Sequence, residues 1–165
     1  MSVNNLEKLL VQELKDLHSA ETQITQTLPK LIKAATSSEL KSAFEHHLKE
    51  TEGQIQRLDK AFEILGASPR GKTCNGMKGI LMEGAEMLHE TEAGDIRDVA
   101  LISAAQRVEH YEMAAYGTVR SYAEQLRQPQ IVSLLQDTLD EEKSADRKLS
   151  EISRKVNTRA LQHAA

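Results

Sequence analysis

The sequence has no tryptophan, a single cysteine and only 3% aromatic residues among its 165 residues. So few aromatic side chains argue against a β-sandwich core and against a surface that stacks nucleic-acid bases. A lone cysteine, Cys74, forms no internal disulfide, which is typical of a reducing cytosol. Because no histidine or basic cluster accompanies it in its glycine-rich stretch, we interpret Cys74 as an unpaired loop thiol rather than a nucleophile.

Long apolar runs and a strong charge imbalance are also absent. No apolar segment approaches the length of a membrane span, and the first residues contain no hydrophobic stretch typical of a signal peptide. The formal net charge of −4 gives no general attraction to DNA or to anionic lipid. We therefore expect a cytoplasmic protein that binds neither membranes nor nucleic acid.

Proline and glycine are scarce too, with three and eight residues, and this composition favours helix along the whole chain. We expect one domain over residues 1–165, with an ordered core over about 5–157 and frayed residues from Thr158 onwards. Five helices are predicted. The first runs from Asn4 or Asn5 to Ala34 with a kink at Pro29, and the second runs from a capping box at Thr36 and Glu39 to Gly66. The third runs from Asn75 to Thr91, the fourth from a cap at Asp95 to Arg127, and the fifth from Pro129 to Asn157.

Four of the predicted helices are long, and the short one lies between the second and third long helices. This order predicts an all-α fold, a four-helix bundle with an additional short helix. The connection that contains the short helix spans most of the bundle, so the two long helices that it joins can run parallel. The methionine and leucine side chains of the short helix fit either a dimer face or packing on its own bundle.

Every long helix has acidic residues on or beside its apolar stripe. Burying an isolated carboxylate costs several kcal/mol, so a core with many carboxylates needs compensating positive charge. No lysine or arginine lies on the three stripes that contain carboxylates, and bound metal is the simplest source of that charge. The residues predicted to bind metal, drawn from all four long helices, are Glu21, His47, Glu50, Glu109, Glu112 and Glu142.

The chemistry of these ligands indicates the kind of metal. Carboxylates with a single imidazole suit iron or manganese, whereas softer metals prefer thiolates. Bridging carboxylates hold two such ions about 3.5–4 Å apart in two-metal sites. Because two divalent ions balance roughly four buried carboxylates, we expect two metal ions, iron or manganese, at the centre of the bundle.

Competing interpretations remain for some of these residues. A glutamate within a stripe can pack its stem on the core while its carboxylate reaches water. Glu112 alone can serve the third long helix without Glu109, and His47 can be a core histidine bonded to a carboxylate. Four residues are predicted to support the ligands by hydrogen bonding rather than to bind metal: His18, Gln54, Tyr116 and Asp146.

Two of these four supporting residues have alternatives of their own. Tyr116 follows Glu112 by one turn and fits an ordinary core tyrosine with one bonded hydroxyl as well as a partner of a ligand. Asp146 fits a surface ion pair with Lys143 or Arg147.

Four motifs, one on each long helix, are also similar to those of a known family. They are Asp16-Leu17-His18-Ser19-Ala20-Glu21-Thr22-Gln23, His47-Leu48-Lys49-Glu50-Thr51 with Gln54, Ala104-Ala105-Gln106-Arg107-Val108-Glu109-His110-Tyr111-Glu112, and Thr138-Leu139-Asp140-Glu141-Glu142. Together they resemble the YciE/YciF family of bacterial ferritin-like stress proteins, over about residues 5–152. The Val108–Glu112 block is the most specific part of the resemblance.

The resemblance implies a ferritin-like bundle, a homodimer in the bacterial cytosol and an association with stress responses, but no defined molecular activity. One feature departs from ferritin-like sites in general, which contain Glu-x-x-His on one or two helices. Here Glu50 and Glu142 are followed three residues later by Gly53 and Ala145. This departure bears on metal affinity and redox tuning.

Two functional hypotheses follow from these patterns. The first is a two-metal site that reacts with oxygen or peroxide, as a ferroxidase, peroxidase or catalase-like oxidoreductase. The second is a non-enzymatic stress protein that binds a partner or assembles, with metal structural or absent. A cage that stores iron and coats DNA is disfavoured because the chain lacks a lysine-rich tail.

Overall fold

A computed structural model describes residues 3–163, which form five α-helices with short connections. The helices are α1 (Leu6–Ala34), α2 (Ser38–Leu65), α3 (Asn75–Glu90), α4 (Asp95–Gln125) and α5 (Pro129–His163). The predicted all-α fold, with a short helix between the second and third long ones, is confirmed. Among the described residues, no helix combines the length and the apolar character needed to cross a membrane.

The helix starts differ in detail from those predicted. The side chain of Asn5 caps α1 as expected, by accepting an amide hydrogen bond in the first turn. The cap of α2 is Ser37, one residue after the predicted Thr36. The cap of α4 is Gly94 rather than Asp95, which instead lies in the first helical turn.

The end of the last helix was predicted too early. The predicted end at Asn157 is wrong, because α5 continues to His163. Val156 and Ala160 are 1% and 5% exposed, so the apolar stripe of α5 packs on the bundle past the polar Asn157-Thr158 pair. Residues 164 and 165 lie outside the described residues.

The long helices form a bundle in which α2 and α4 each pack against α1 and α5. The starts of α2 and α4 lie at the same end of the bundle. There, Asp98 in the first turn of α4 accepts amide hydrogen bonds from Thr36 and Ser37, each 2.7 Å long. The two helices therefore run parallel, as the long connection between them predicts.

The short helix α3 packs on α4 and α1 of its own bundle. Met77 is fully buried, and Ile80, Leu81 and Leu88 are partly buried against the core. Met82 is 56% exposed and stands apart from this packing. The sequence left two roles for the apolar side chains of α3, a dimer face or packing on its own bundle. Most of these side chains pack on the bundle.

Cys74 is an unpaired thiol in the connection before α3, as its sequence context suggested, but it is buried in a network of hydrogen bonds. It caps α3, because its sulfur accepts the amide hydrogen bond of Met77 at 3.3 Å. The same sulfur lies 2.9 Å from the hydroxyl of Tyr111, which donates to Asp16 at 2.7 Å. Burial, together with the hydrogen bond to Asp16, raises the pKa of the Cys74 thiol.

The buried apolar side chains divide into two clusters, one at each end of the bundle. We name them the upper cluster, which includes Ile24, Phe44 and Ile152, and the lower cluster, which includes Leu14, Leu58 and Ile131. A layer of buried polar side chains from all four long helices separates the clusters. We call it the polar layer, and its members are Glu21, His47, Thr51, Gln54, Glu109, Glu112, Thr138 and Glu142.

Candidate metal centre

Helical spacing places the polar layer at one level of the bundle. Each long helix buries one continuous stripe, because residues three or four apart share a face. On α4 the stripe leaves the upper cluster at Val108 and joins the lower cluster at Tyr116, with Glu109 and Glu112 between them. The other long helices change from one cluster to the other at the same level.

Four side chains from three helices converge within the layer. His47 of α2, Glu109 and Glu112 of α4, and Glu142 of α5 each offer one nitrogen or oxygen atom, and these atoms all lie within 4.8 Å of one another. All four residues are buried, the most accessible being His47 at 6%. This spacing allows a cation between the groups to contact several of them at once.

Two further predicted ligands, Glu21 and Glu50, lie beside this group of four. Glu21 of α1 is fully buried, accepts a hydrogen bond of 2.5 Å from the hydroxyl of Tyr116, and interacts with the carboxyl of Glu112. The side chain of Glu50 is 19% exposed, and its Oε2 lies 3.8 Å from Nδ1 of His47. Glu50 therefore lies at the solvent edge of the centre, whereas Glu21 lies at its interior side.

The buried polar atoms of the centre mostly lack hydrogen-bond partners within the described residues. Glu112 and Glu142 have no partner at either oxygen, and Glu21 and Glu109 have none at Oε2. Both ring nitrogens of His47 are also without a hydrogen bond. Buried polar groups in proteins are normally hydrogen-bonded, paired or bound to metal, so these atoms are the strongest sign of a binding site.

Burial and mutual repulsion raise the pKa values of the buried carboxyls. Desolvation raises the pKa of Glu109 to about 8 and raises the pKa values of Glu112 and Glu142 well above their usual range. It also raises the pKa of Glu21, against the opposing hydrogen bond from Tyr116. Without a cation, several of these carboxyls must bind protons to remain buried.

The pKa of His47 indicates the sign of the electrostatic potential at the centre. Burial alone lowers the pKa of an imidazole. The surrounding carboxylates of Glu50, Glu142 and Glu21 outweigh burial and raise the pKa of His47. The interior of the centre therefore favours positive charge.

The donor set fits iron or manganese. Within residues 3–163 no lysine or arginine forms an ion pair with Glu21, Glu109, Glu112 or Glu142. The nearby guanidinium of Arg57 instead binds Glu141, with hydrogen bonds of 2.7 and 2.6 Å. Carboxylates with one imidazole and no thiolate are typical ligands of these hard and borderline divalent cations.

Of the four residues predicted to support the ligands, Tyr116 and Gln54 lie at the centre, but of these two only Tyr116 bonds a proposed ligand. Tyr116 is fully buried and bonds Glu21, and both burial and that carboxyl raise the pKa of Tyr116 well above its usual range. Gln54 is buried and donates to Glu141 at 3.1 Å, and its Oε1 has no hydrogen bond.

The structure corrects the other two predicted supporting residues. His18 does not bond a ligand carboxylate, because its ring lies 3.1 Å from Asp59. Its offset of about 60° from Glu21 around the helix turns it toward α2. Asp146 pairs with His110 at 3.2 Å instead of with Lys143 or Arg147, and its charge helps to raise the pKa of Glu109.

The Arg57–Glu141 pair between α2 and α5 is a feature of the centre that sequence reasoning missed. Arg57 also donates to the hydroxyl of Thr138 at 3.2 Å, and Glu141 accepts from Gln54. These bonds join α2 and α5 just beyond the buried carboxyls. No local sequence signal marks the pair, because its two members lie 84 residues apart.

Comparison with known proteins places the chain in a family. Residues 5–162 match the model of a family described as a domain of unknown function, DUF892. The chain belongs to the DUF892 family. It is 41% identical to Protein YciF of Escherichia coli (strain K12) over 162 residues, which cover 97% of this chain and 98% of that protein. The resemblance predicted from the four motifs is confirmed.

Solved structures related to this DUF892 chain agree with its fold. The crystal structure of the E. coli stress protein YciF superposes with a TM-score of 0.91 at 40% identity, covering 94% of this chain and 99% of that one. A ferritin-like, diiron-carboxylate protein from Bacillus anthracis gives a TM-score of 0.71 at 16% identity, covering 92% and 99%. This second likeness concerns the fold alone, and it confirms the predicted ferritin-like bundle.

Proposed function

We propose that this protein binds two iron or manganese ions in the polar layer and reacts there with oxygen or peroxide, as a ferroxidase- or peroxidase-like stress protein. One observation supports the proposal above all others. Three buried glutamates and a histidine converge, and a fourth buried glutamate, Glu21, lies beside them. Most of the polar atoms of these five residues are unbonded, and no lysine or arginine pairs with them in the described chain. Two divalent cations would balance the four buried carboxylates.

The relatives give independent support. YciF is described as a stress protein, and the protein from B. anthracis is described as a diiron-carboxylate protein. We also propose, as the resemblance of the four motifs implies, that this chain acts in the bacterial cytoplasm as a homodimer. Neither membrane nor nucleic acid has a part in the proposed function.

The proposed ligands are the six residues predicted from the sequence: Glu21, His47, Glu50, Glu109, Glu112 and Glu142. The bound metals would supply the electrons that reduce the oxidant. The chain itself orients Glu21 through the hydroxyl of Tyr116 and keeps bulk water from both ends of the layer with the upper and lower clusters. Glu50, at the solvent edge, is the ligand placed to exchange protons with water.

Metal stoichiometry tests the binding part of this proposal. The full-length protein would be incubated anaerobically with Fe²⁺ or Mn²⁺, desalted and measured by elemental analysis. We expect about two ions per chain in the wild type and in Glu45→Gln, an exposed control on α2, and fewer than one in Glu112→Gln and Glu142→Gln. Absence of stoichiometric metal in the wild type would contradict the proposal.

The reaction is tested separately on protein that binds metal. Rapid mixing of the Fe²⁺-loaded protein with oxygen or with peroxide should give a ferric absorbance change that Glu112→Gln lacks. Two bound ions that remain unreactive toward both oxidants would favour the second hypothesis, a non-enzymatic stress protein with structural metal.

A further inference from the structure

A cavity of about 580 Å³ opens between α2 and α5 beside the upper cluster. Small residues on the two facing helices create it: Ser42 and Ala43 on α2, and Ser144 and Ala145 on α5. Larger side chains at these positions would fill the space between the helices.

The inner wall of the cavity is apolar and deep. Ile24 and Leu28 of α1 and Phe44 of α2 line it, and each of these residues is at most 4% exposed. The volume lies within the roughly 300–1,000 Å³ typical of small-molecule sites. An occupant that reaches this wall between two helices must be narrow and apolar, which fits an alkyl chain better than the surface of another protein.

The mouth of the cavity has a group of one acidic and two basic side chains, of which Glu39 and Lys148 line the cavity and Lys155 lies just outside the lining. Glu39 lies there between two ammonium groups, with Lys155 3.1 Å from Oε2 and Lys148 3.6 Å from Oε1. One carboxylate between two lysines leaves a net charge of +1. The exposed hydroxyls of Ser42 and Ser144, which line the same opening, can donate hydrogen bonds to an anion.

The inner end of the cavity has the opposite character. It meets the metal centre at His47, Glu50 and Glu109. The carboxylates of Glu50 and Glu109 disfavour an anionic group at this inner end, so the mouth is the more favourable position for the anionic group of a ligand. His46, also on the lining, is engaged with Glu50 at 3.1 Å.

We propose that this cavity binds a free single-chain amphiphile with an anionic head group, its alkyl chain between α2 and α5 and its head group against Lys148. The proposal concerns a site that does not depend on bound metal, so it stands or falls separately from the proposed redox function.

Calorimetric titration of the full-length, metal-free protein tests the ligand class. The probes are octanoate, decanoate and decylammonium, each below its micelle concentration. We expect one saturable site, with decanoate bound about fifteenfold more tightly than octanoate because each added methylene contributes about fourfold. Decylammonium should bind more weakly than decanoate. The proposal fails if decanoate does not saturate one site. It also fails if the protein binds vesicles of anionic phospholipid but none of the single-chain probes.

Two pairs of variants locate the site. Ala145→Leu, which fills the cavity, should weaken decanoate binding at least tenfold, whereas Ala114→Leu on an exposed face of α4 should not. Lys148→Glu should weaken it about three- to tenfold, whereas Lys143→Glu, off the lining of the same helix, should leave it unchanged. Circular dichroism checks that each variant folds. If Ala145→Leu does not fold, the comparison of Lys148→Glu with Lys143→Glu tests the location of the site.

Metal-loaded protein provides the last comparison. We expect its affinity for decanoate to lie within about threefold of that of the metal-free protein, with the same loss in Lys148→Glu. Binding that requires metal and ignores the Lys148 substitution would place the head group at the metal centre and overturn the proposed orientation.

Discussion

At the residue scale, Tyr116 shows how a core side chain can shape the metal centre. Its ring belongs to the lower cluster, and its hydroxyl reaches Glu21 on the neighbouring helix. The sequence suggested that this hydroxyl bonds a ligand because Tyr116 follows Glu112 by one turn, but an ordinary core tyrosine with one bonded hydroxyl fitted the sequence better. The structure combines the two roles, since the ring packs in the core and the hydroxyl bonds a proposed ligand.

Replacing Tyr116 by phenylalanine should keep the packing and remove the bond to Glu21. We expect metal affinity to fall about 10–100-fold, because residues that orient metal ligands typically contribute that much. Competition with a chelator would measure the affinity. Tyr122→Phe, a partly buried tyrosine of the same helix, is the control. Equal affinity in both variants would show that Tyr116 orients no ligand.

The carboxylates of the centre could be predicted because each lies on or beside an apolar stripe of its own helix. The Arg57–Glu141 pair could not, because two partly exposed residues on separate helices leave no periodic signal. His18 was misassigned because its position three residues before Glu21 suggested a shared face, while the ring turns toward Asp59. Sequence patterns identify the buried face of a helix better than they identify the partner of a residue beside it.

At the scale of the elements, Asp98 joins the start of α4 to the start of α2. It is fully buried, and its two carboxylate oxygens accept the amides of Thr36 and Ser37. The amides of Thr36 and Ser37, which precede α2, are therefore both bonded to a side chain of α4. This contact was not predictable, because an acidic residue in a first helical turn is ordinary and the sequence gives no sign of its distant partner.

Asp98→Asn should destabilise the fold. The substitution removes the charge and turns an amide NH₂ toward one of two backbone N–H donors. We expect a loss of about 1.5–3 kcal/mol in the free energy of unfolding, the usual range for hydrogen bonds to a charged group. Urea unfolding would measure it, with the exposed Asp140→Asn as control. A variant as stable as that control would refute the role given to Asp98.

The helices themselves were mostly predictable, since periodicity and capping residues are local signals. The exception was the end of α5, where Asn157 and Thr158 are weak helix formers. Packing of Val156 and Ala160 on the bundle outweighs that weak local preference. Tertiary burial therefore decides where this helix ends.

At the scale of the whole molecule, the buried carboxyls make stability depend on pH in opposite senses with and without metal. The pKa of Glu109 is raised to about 8, compared with 4.5 for the ordinary group. Between those values the metal-free folded state binds more protons than the unfolded state. The stability that Glu109 contributes to the metal-free fold is therefore fully present below about pH 4.5 and is lost as the pH rises through about 8.

Metal-free protein should accordingly become less stable between pH 5 and pH 8, and Glu109→Gln should show a shallower slope. Chemical unfolding at a series of pH values would give the comparison. Metal-loaded protein should behave in the reverse way, since protons compete with metal for the same oxygens. A metal-free protein that gains stability over this range would contradict the assignment of raised pKa values to the centre.

Metal binding should also raise the melting temperature at neutral pH. A free ion concentration 100 times the dissociation constant contributes about 2.7 kcal/mol, or about 5–10 °C for a chain of this size. Scanning calorimetry with and without Mn²⁺ would measure the shift, and Glu142→Gln should show little of it. An unchanged wild-type melting temperature would mean that the folded state does not bind the ion.

The division of the core has a consequence for the way the molecule unfolds. Because the polar layer lies between the upper and lower clusters, no continuous apolar packing of the described residues joins the two ends of the bundle across the centre. In metal-free protein at neutral pH, the two ends are cooperative units coupled mainly by the helix backbones that run through both. Amide hydrogen exchange should then show two levels of protection, one for each end, that merge into a single level when metal binds.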